Sequence, residues 1–478
     1  MESVIVGREA EIHDLERAYA ARELSVVLVK GRRRVGKTFL VNHVFKGRFS
    51  FKFTGTHKAA MKKQLAKFGE ALFEYGYRGK GEIRTWADAF ASLRHHIDSF
   101  DDSKRVVVFL DELPWMDTKK SGFLFEFNYF LNDYASAKDN LMLILCGSSS
   151  SWIDKKFTKS KGGLYNRHTD LVSLQPFNLL ETERYLVGKG FEWPRYEIAM
   201  MYMALGGIPY YLNKLDPALT PSENIDALFF RPGAKLEGEF PQLYETLFTK
   251  GAVSAKIMRL LSKEKAGLPR EEIAKRSGLS DGGALSEALE GIVSSGFART
   301  KTSYLGRKKR RLYVLSDYFT VFYFHFIQEN AGKDEHFWRN SYNESSRRAW
   351  LGFSFERVVS DHLFAIKGSL GISGILSEDY SYRAEAKDGK DGAQIDLVID
   401  RKDKVATLCE IKYLSQEFAV DKDYRDNLEN KKERYREDLG ARKSIQLVFV
   451  STFGLKRSLY GDVFSKAITI DDLFTKHN

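Results

Sequence analysis

The feature that most constrains this chain is a short apolar run, SVVLV (Ser25 to Val29), followed after one residue by GRRRVGKT (Gly31 to Thr38). The octet fits the spacing G-x-x-x-x-G-K-[ST], and a helical pattern follows it, which predicts a strand–loop–helix unit. In such a loop, successive backbone N–H groups curve around an anion, and the following helix adds the positive end of its dipole. Lys37 would reach the outer phosphates of a nucleotide, and the Thr38 hydroxyl would ligate Mg²⁺. Gly31, Arg32, Arg33, Arg34, Val35, Gly36 and Phe39 complete the expected nucleotide-binding set.

Two further apolar strands are expected, VVVFL (Val106 to Leu110) and LMLILC (Leu141 to Cys146). Short continuous apolar strands separated by helices imply a parallel sheet covered on both faces. The first of these ends in Asp111-Glu112. A carboxylate there is placed to hold Mg²⁺ through water, and Glu112, one residue on, to orient or deprotonate an attacking water. The second ends in Gly-Ser-Ser-Ser-Ser, from which Ser148 or Ser149 would reach the γ-phosphate or the water.

The segments VGRE (from Val6), the phosphate loop, FLDE, CGSS and GGIPYYL (Gly206 to Leu212) together resemble the archaeal-type ATPase family. That family is an AAA+-like branch of P-loop ATPases, related to the signal-transducing NTPases. The resemblance implies ATP and Mg²⁺ as ligands. It also implies that Arg167 acts as an arginine finger, in cis or across the subunit interface of a homo-oligomer, and that Pro209 lies near the base. It further implies an α/β chain: a P-loop ATPase core with parallel sheet (1–175), a helical lid (176–250), a winged helix-turn-helix, and a C-terminal nuclease-like domain.

Charge supports a polyanionic partner only where it is concentrated. The 478-residue chain carries a net +11, and +8 of it lies in residues 253–312. Apolar spacing there predicts three helices, the third over Asp281 to Gly296, then a hairpin containing RKKRR (Arg307 to Arg311). This is the winged-helix segment, 251–315. Five successive basic residues suit salt-sensitive contacts to DNA phosphates. The third helix has no Arg, Lys, Asn or Gln with which to read bases. The alternative is that the segment only packs within the protein. Residues 316–344 form a connecting aromatic helical stretch.

From 345 onward, AQIDLVID (Ala393 to Asp400) and VATLCEIKY (Val405 to Tyr413) read as paired strands. Alternation puts Ile395, Leu397 and Ile399 on one face and Asp396 on the other, while Glu410 and Lys412 share a face. Asp396 faces Glu410 if paired positions sum to 806. Two carboxylates with one lysine suit a Mg²⁺ site at which the lysine stabilises charge on a phosphate. Asp396 followed by Glu410-x-Lys412 resembles the PD-(D/E)XK nuclease superfamily, with Ile395 in place of its proline, and Glu356 in GFSFERVV matches its upstream helix acid. The fold expected for 345–478 is restriction-endonuclease-like. Two functions remain open: an ATP-regulated, DNA-directed nuclease, or an ATPase switch that controls a protein partner through a non-catalytic nuclease-like domain.

Two cysteines exclude a disulfide framework, and neither a signal pattern nor an 18-residue apolar run occurs. A cytoplasmic protein without a membrane span is expected.

Overall fold

The structure is a computed structural model. It describes all residues except 1–4, 80, 148, 149, 159–162, 242, 244–250, 388, 441, 477 and 478. The chain forms two compact units, Met1–Pro176 and Phe177–Asn478.

The first unit is built on five parallel strands: β1 (Ser25–Gly31), β2 (Phe51–Thr54), β3 (Val106–Asp111), β4 (Leu141–Cys146) and β5 (Asp170–Leu174). Their order is β2-β3-β4-β1-β5. Every residue of β3 and β4 is buried, as expected of strands covered on both faces. One layer comes from the helices Met61–Glu74 and Trp86–Asp98, which bring Phe68, Trp86 and Phe90 onto Phe123, Phe127 and Phe130. The second of these helices starts at a capping box, in which Thr85 and Asp88 satisfy each other's backbone N–H groups. Truncating the buried Phe90 to alanine would cost roughly 3–5 kcal/mol. This packing fixes the ends of β1 and β3 on either side of β4, with Val29 paired to Cys146 and Leu110 to Leu145.

The second unit opens with helices, among which GGIPYYL marks a tight crossing. Gly206 has φ +64°, and a Cβ on Gly207 would lie 1.8 Å from the Phe177 carbonyl oxygen. Then come the helices Gly251–Ser262, Arg270–Ser277 and Gly283–Ser294, followed by a hairpin of β6 (Ala298–Leu305) and β7 (Lys308–Leu315). The remaining strands are β8 (Ser377–Ala384), β9 (Ala393–Arg401), β10 (Val405–Lys412), β11 (Ser444–Ser451) and β12 (Lys466–Ile468). They join the hairpin in one seven-stranded sheet, ordered β12-β11-β10-β9-β8-β6-β7.

Two features differ from the sequence expectation. The hairpin is not a free wing: β6 pairs in parallel with β8, from Ser303–Ser381 to Leu305–Arg383. An unpaired strand edge beside a second sheet is satisfied by joining it. The segments expected as lid, winged helix, connector and nuclease-like domain all fall within this one unit. The second difference is in β9. Tyr380 pairs with Val398 but Tyr382 with Ile395, so Asp396 and Leu397 together oppose Ser381. This bulge breaks the simple alternation and puts Ile395 and Val398 in the same core. The β9–β10 register runs from Asp400–Ala406 to Leu397–Cys409, each pair summing to 806.

Candidate functional site

The phosphate loop leaves β1 at Gly31, whose φ is +152° and where a Cβ would lie 2.5 Å from the Leu174 carbonyl oxygen. Arg34 and Gly36 also take positive φ, and the helix Lys37–Val44 starts at once. The chain therefore curls into a concave run of backbone N–H groups at a helix N-terminus. Lys37 is buried, and its Nζ donates to the carbonyls of Gly31 (2.8 Å) and Arg32 (3.0 Å). Thr38 Oγ1 donates to Asp111 Oδ2 at 2.8 Å. The Asp111 carboxylate is itself buried and accepts from the Glu112 N–H at 3.0 Å. A hydroxyl and a carboxylate already in contact are the oxygen donors Mg²⁺ takes beside a nucleotide, so these residues fit the ion. Glu112 turns out of the strand with φ +54°, which ends β3 at Asp111.

Two further residues lie near this loop: Cys146, buried as its place at the end of an apolar strand suggests, and His57, which carries no motif. The Cys146 thiol, at the end of β4, lies beside Asp111 and Lys37; burial first and Asp111 next hold it well above the usual thiol range. His57, beyond β2, stands edge-on to Trp115, with ring centroids 4.3 Å apart. Its imidazole is held below the usual range by burial, then by Lys58 and Arg33, against the pull of Glu112. Arg167 is exposed in the segment before β5, and Phe39 is half exposed on the helix after the loop. Ser148 lies outside the described residues. Pro209 belongs to the second unit, where it opens the short helix Pro209–Leu212.

In the second unit, the expected acids divide into two sets. Glu356, on the helix Ser345–Asp361, forms an ion pair with Lys265, and the same Nζ lies 3.9 Å from Asp396 Oδ1. Asp396 also accepts from Gln394 Nε2 at 2.8 Å. Glu410 is held from the helix Lys422–Tyr435: Tyr424 donates to Oε1 at 2.7 Å and Lys431 to Oε2 at 2.8 Å. Lys412 places its ammonium over the rings of Tyr424 (4.6 Å) and Phe418 (5.3 Å). Among the described residues, no three His, Cys, Asp or Glu side chains stand close enough together to hold a metal.

The electrostatics join the two sets. Burial, with Asp396 next, pushes Glu356 up to about 7 against the pull of Lys265. Burial works against the Lys265 ammonium, yet Asp396, Glu356 and also Glu410 hold it above its usual range. Lys301, on β6, is held below its range by burial despite Asp396 and Glu356. Lys265, Lys301, Tyr424 and Lys431 thus belong to the acid cluster, although no motif marked them. The carboxylates are hard oxygen donors of the kind Mg²⁺ takes, but they are not gathered into a group of three and lysines now face them.

The basic hairpin has partners of its own. Arg307 donates to the Glu437 carbonyl at 3.0 Å, and Lys309 lies 3.9 Å from Glu378. Lys308, Lys309 and Arg311 are exposed. Thr300, Lys301, Thr302, Lys309, Arg310 and Arg311 line a shallow cavity of about 460 Å³.

Comparison with known proteins bears on the first of these sites. Residues 5–215 match the family described as an ATPase domain predominantly from Archaea. A Methanocaldococcus jannaschii protein, described as uncharacterized protein MJECL04, is 24% identical over 430 residues, covering 88% of this chain and 91% of that protein. The Walker-type ATPase paby2304 of Pyrococcus abyssi is 18% identical and covers 67% of this chain and 96% of its own, with a TM-score of 0.48. The Aeropyrum pernix ORC2 protein, in ADPNP–ADP complexes, is 13% identical and covers 68% of this chain and 95% of its own, with a TM-score of 0.39. The family match spans the phosphate loop, Asp111–Glu112 and GGIPYYL, and it supports ATP binding and hydrolysis by this part of the chain. Among the described residues, no helix is long and apolar enough to cross a membrane.

Proposed function

We propose that the chain binds and hydrolyses ATP at the Gly31–Thr38 loop, and that nucleotide state controls a DNA-directed, Mg²⁺-dependent nuclease site in the second unit. The observation that carries the first half is the contact of Thr38 with Asp111 beside a lysine held on two loop carbonyls. Lys37 would exchange those carbonyls for β- and γ-phosphate oxygens. Thr38 and Asp111 would hold Mg²⁺, which would supply positive charge beside the phosphates. Glu112 would orient the attacking water and take its proton. Arg167 would stabilise developing charge from its own chain or from a neighbouring copy, with Ser148 sensing the γ-phosphate.

In the second unit, Asp396 and Glu410 would hold Mg²⁺, Glu356 would tune the site from its helix, and Lys412 would stabilise charge on the scissile phosphate. Lys308, Lys309 and Arg311, on a winged-helix hairpin, would contact the DNA backbone without reading sequence. What supports this reading is the sharing of one cation by Glu356 and Asp396 from separate elements. The test is cleavage of duplex and single-stranded DNA with Mg²⁺ or Mn²⁺, with and without ATP.

A second reading is favoured by Glu410, both of whose oxygens have protein partners. There the nuclease-like domain is non-catalytic and the protein is an ATPase switch acting on a protein partner. Absence of cleavage together with intact ATP hydrolysis would select it.

A further inference from the structure

The acid cluster is assembled with a cation already in it. Lys265 lies in the turn between the helices Gly251–Ser262 and Arg270–Ser277, far in sequence from the acids it touches. We propose that Lys265 is a built-in occupant of the acid cluster, its ammonium standing between Glu356 and Asp396 where a divalent cation would bind, so that the site takes up metal only when this side chain withdraws. The proposal rests on the reading of Asp396 as a metal ligand, with Glu356 beside it.

Charge balance is the first argument. Glu356 and Asp396 share Lys265, Glu410 is bonded to Lys431, and Lys301 and Lys412 belong to the same surroundings. A divalent ion added to a cluster that already holds these lysines meets like charge, and its repulsion with an ammonium is twice that of two monovalent ions at the same distance. One lysine must leave, and position singles out Lys265. The Lys431 side chain is 17% exposed and hydrogen-bonded to Glu410. Lys301 lies on a strand within the sheet. Lys265 is on a turn, and its side chain is 46% exposed. The four-carbon stem can therefore swing into solvent without moving backbone.

The turn itself is anchored elsewhere. Leu268 exchanges backbone hydrogen bonds with Tyr313 at 3.0 and 2.8 Å, and Gly267, at φ +83°, packs where a Cβ would lie 2.6 Å from the Tyr313 carbonyl oxygen. The side chain is thus delivered to the acids by the same hairpin that carries Arg307 to Arg311. A DNA phosphate arriving along that hairpin offers the ammonium another partner, and substrate would then open the site to metal.

The test is calorimetric titration of Mn²⁺ into the nucleotide-free full chain, comparing wild type with Lys265→Ala, Lys265→Gln and Lys265→Ala/Asp396→Ala. Both single variants alter a half-exposed turn position, and circular dichroism verifies their fold. The expected result is Mn²⁺ affinity higher by roughly two- to fivefold in both, the range of a partly exposed ion pair, with the increase abolished in the double variant. Unchanged or weaker Mn²⁺ binding in both single variants overturns the proposal. DNA cleavage measured in parallel separates it from the nuclease reading. Tighter Mn²⁺ binding with no cleavage by any variant upholds the occupant and removes the nuclease. Asp396-dependent cleavage by wild type, with Mn²⁺ affinity unmoved by Lys265→Ala, does the reverse. Loss of cleavage in Lys265→Ala without tighter Mn²⁺ binding makes Lys265 a phosphate ligand and also overturns the proposal.

Discussion

The phosphate loop and the acid cluster each hold lysines against oxygen, yet by opposite constructions. Lys37 is held by the carbonyls of Gly31 and Arg32, five or six residues away, in a loop whose shape is set by its own backbone. Neutral carbonyls hold a cation weakly, so phosphate oxygens displace them readily. In the second unit, Glu356, Asp396 and Glu410 are met by the full charges of Lys265 and Lys431, from two other elements. A site of local backbone is ready for its ligand, whereas a site of long-range ion pairs must first release a cation.

The comparison breaks most visibly at the water. If Glu112 activates it, Glu112→Gln should bind ATP normally while kcat falls by about 10²–10⁴-fold, the usual range for removal of a general base. Steady-state hydrolysis at the parental rate would remove that role. Next in size is Lys37→Ala, which removes charge-assisted hydrogen bonds to phosphate and should weaken ATP binding on the order of 100-fold. Fluorescent-nucleotide titration measures it, and an unweakened affinity would mean the loop backbone suffices.

Replacing Lys308, Lys309 and Arg311 by alanine sharpens the same contrast from the other unit. DNA affinity should fall alike for unrelated sequences, and the slope of log K against log salt should shrink by about 0.9 for each phosphate that is no longer neutralised. A constant slope across several salt concentrations would assign the hairpin to packing alone. Arg307→Ala should do less, because its guanidinium already serves the Glu437 carbonyl.

The smallest effect concerns His362, at the end of the helix that carries Glu356. Its Nε2 accepts from the Leu179 N–H at 3.0 Å and its Nδ1–H donates to the Val358 carbonyl at 2.8 Å, so the ring is neutral. Burial holds its pKa below 6.5. The native state then binds fewer protons than the unfolded chain, and stability falls as pH drops through about 6.5. Melting temperatures from pH 7.5 to 5 should fall more steeply for wild type than for His362→Leu; parallel curves would contradict this.

What could be read in advance followed chain distance. The phosphate loop was legible because its geometry belongs to eight consecutive residues. The β9–β10 register was legible because alternation and a short turn leave few choices. The bulge at Asp396 was not, since it exists only against β8. Nor was the parallel pairing of β6 with β8, which joins Ser303 to Ser381 across 78 residues. Lys265, Lys301, Tyr424 and Lys431 carry no motif, and only tertiary packing brings them to the acids. Glu410 draws Lys431 inward from a helix otherwise rich in charge.

The central claim is that the second unit cuts DNA under nucleotide control. The most direct measurement is cleavage of DNA by the full chain with Mg²⁺ or Mn²⁺, with and without ATP, for wild type beside Asp396→Ala. Wild type should cleave to an extent that changes with ATP, and cleavage should disappear in Asp396→Ala. Cleavage that persists in Asp396→Ala, or none from wild type under any of these conditions, would contradict it.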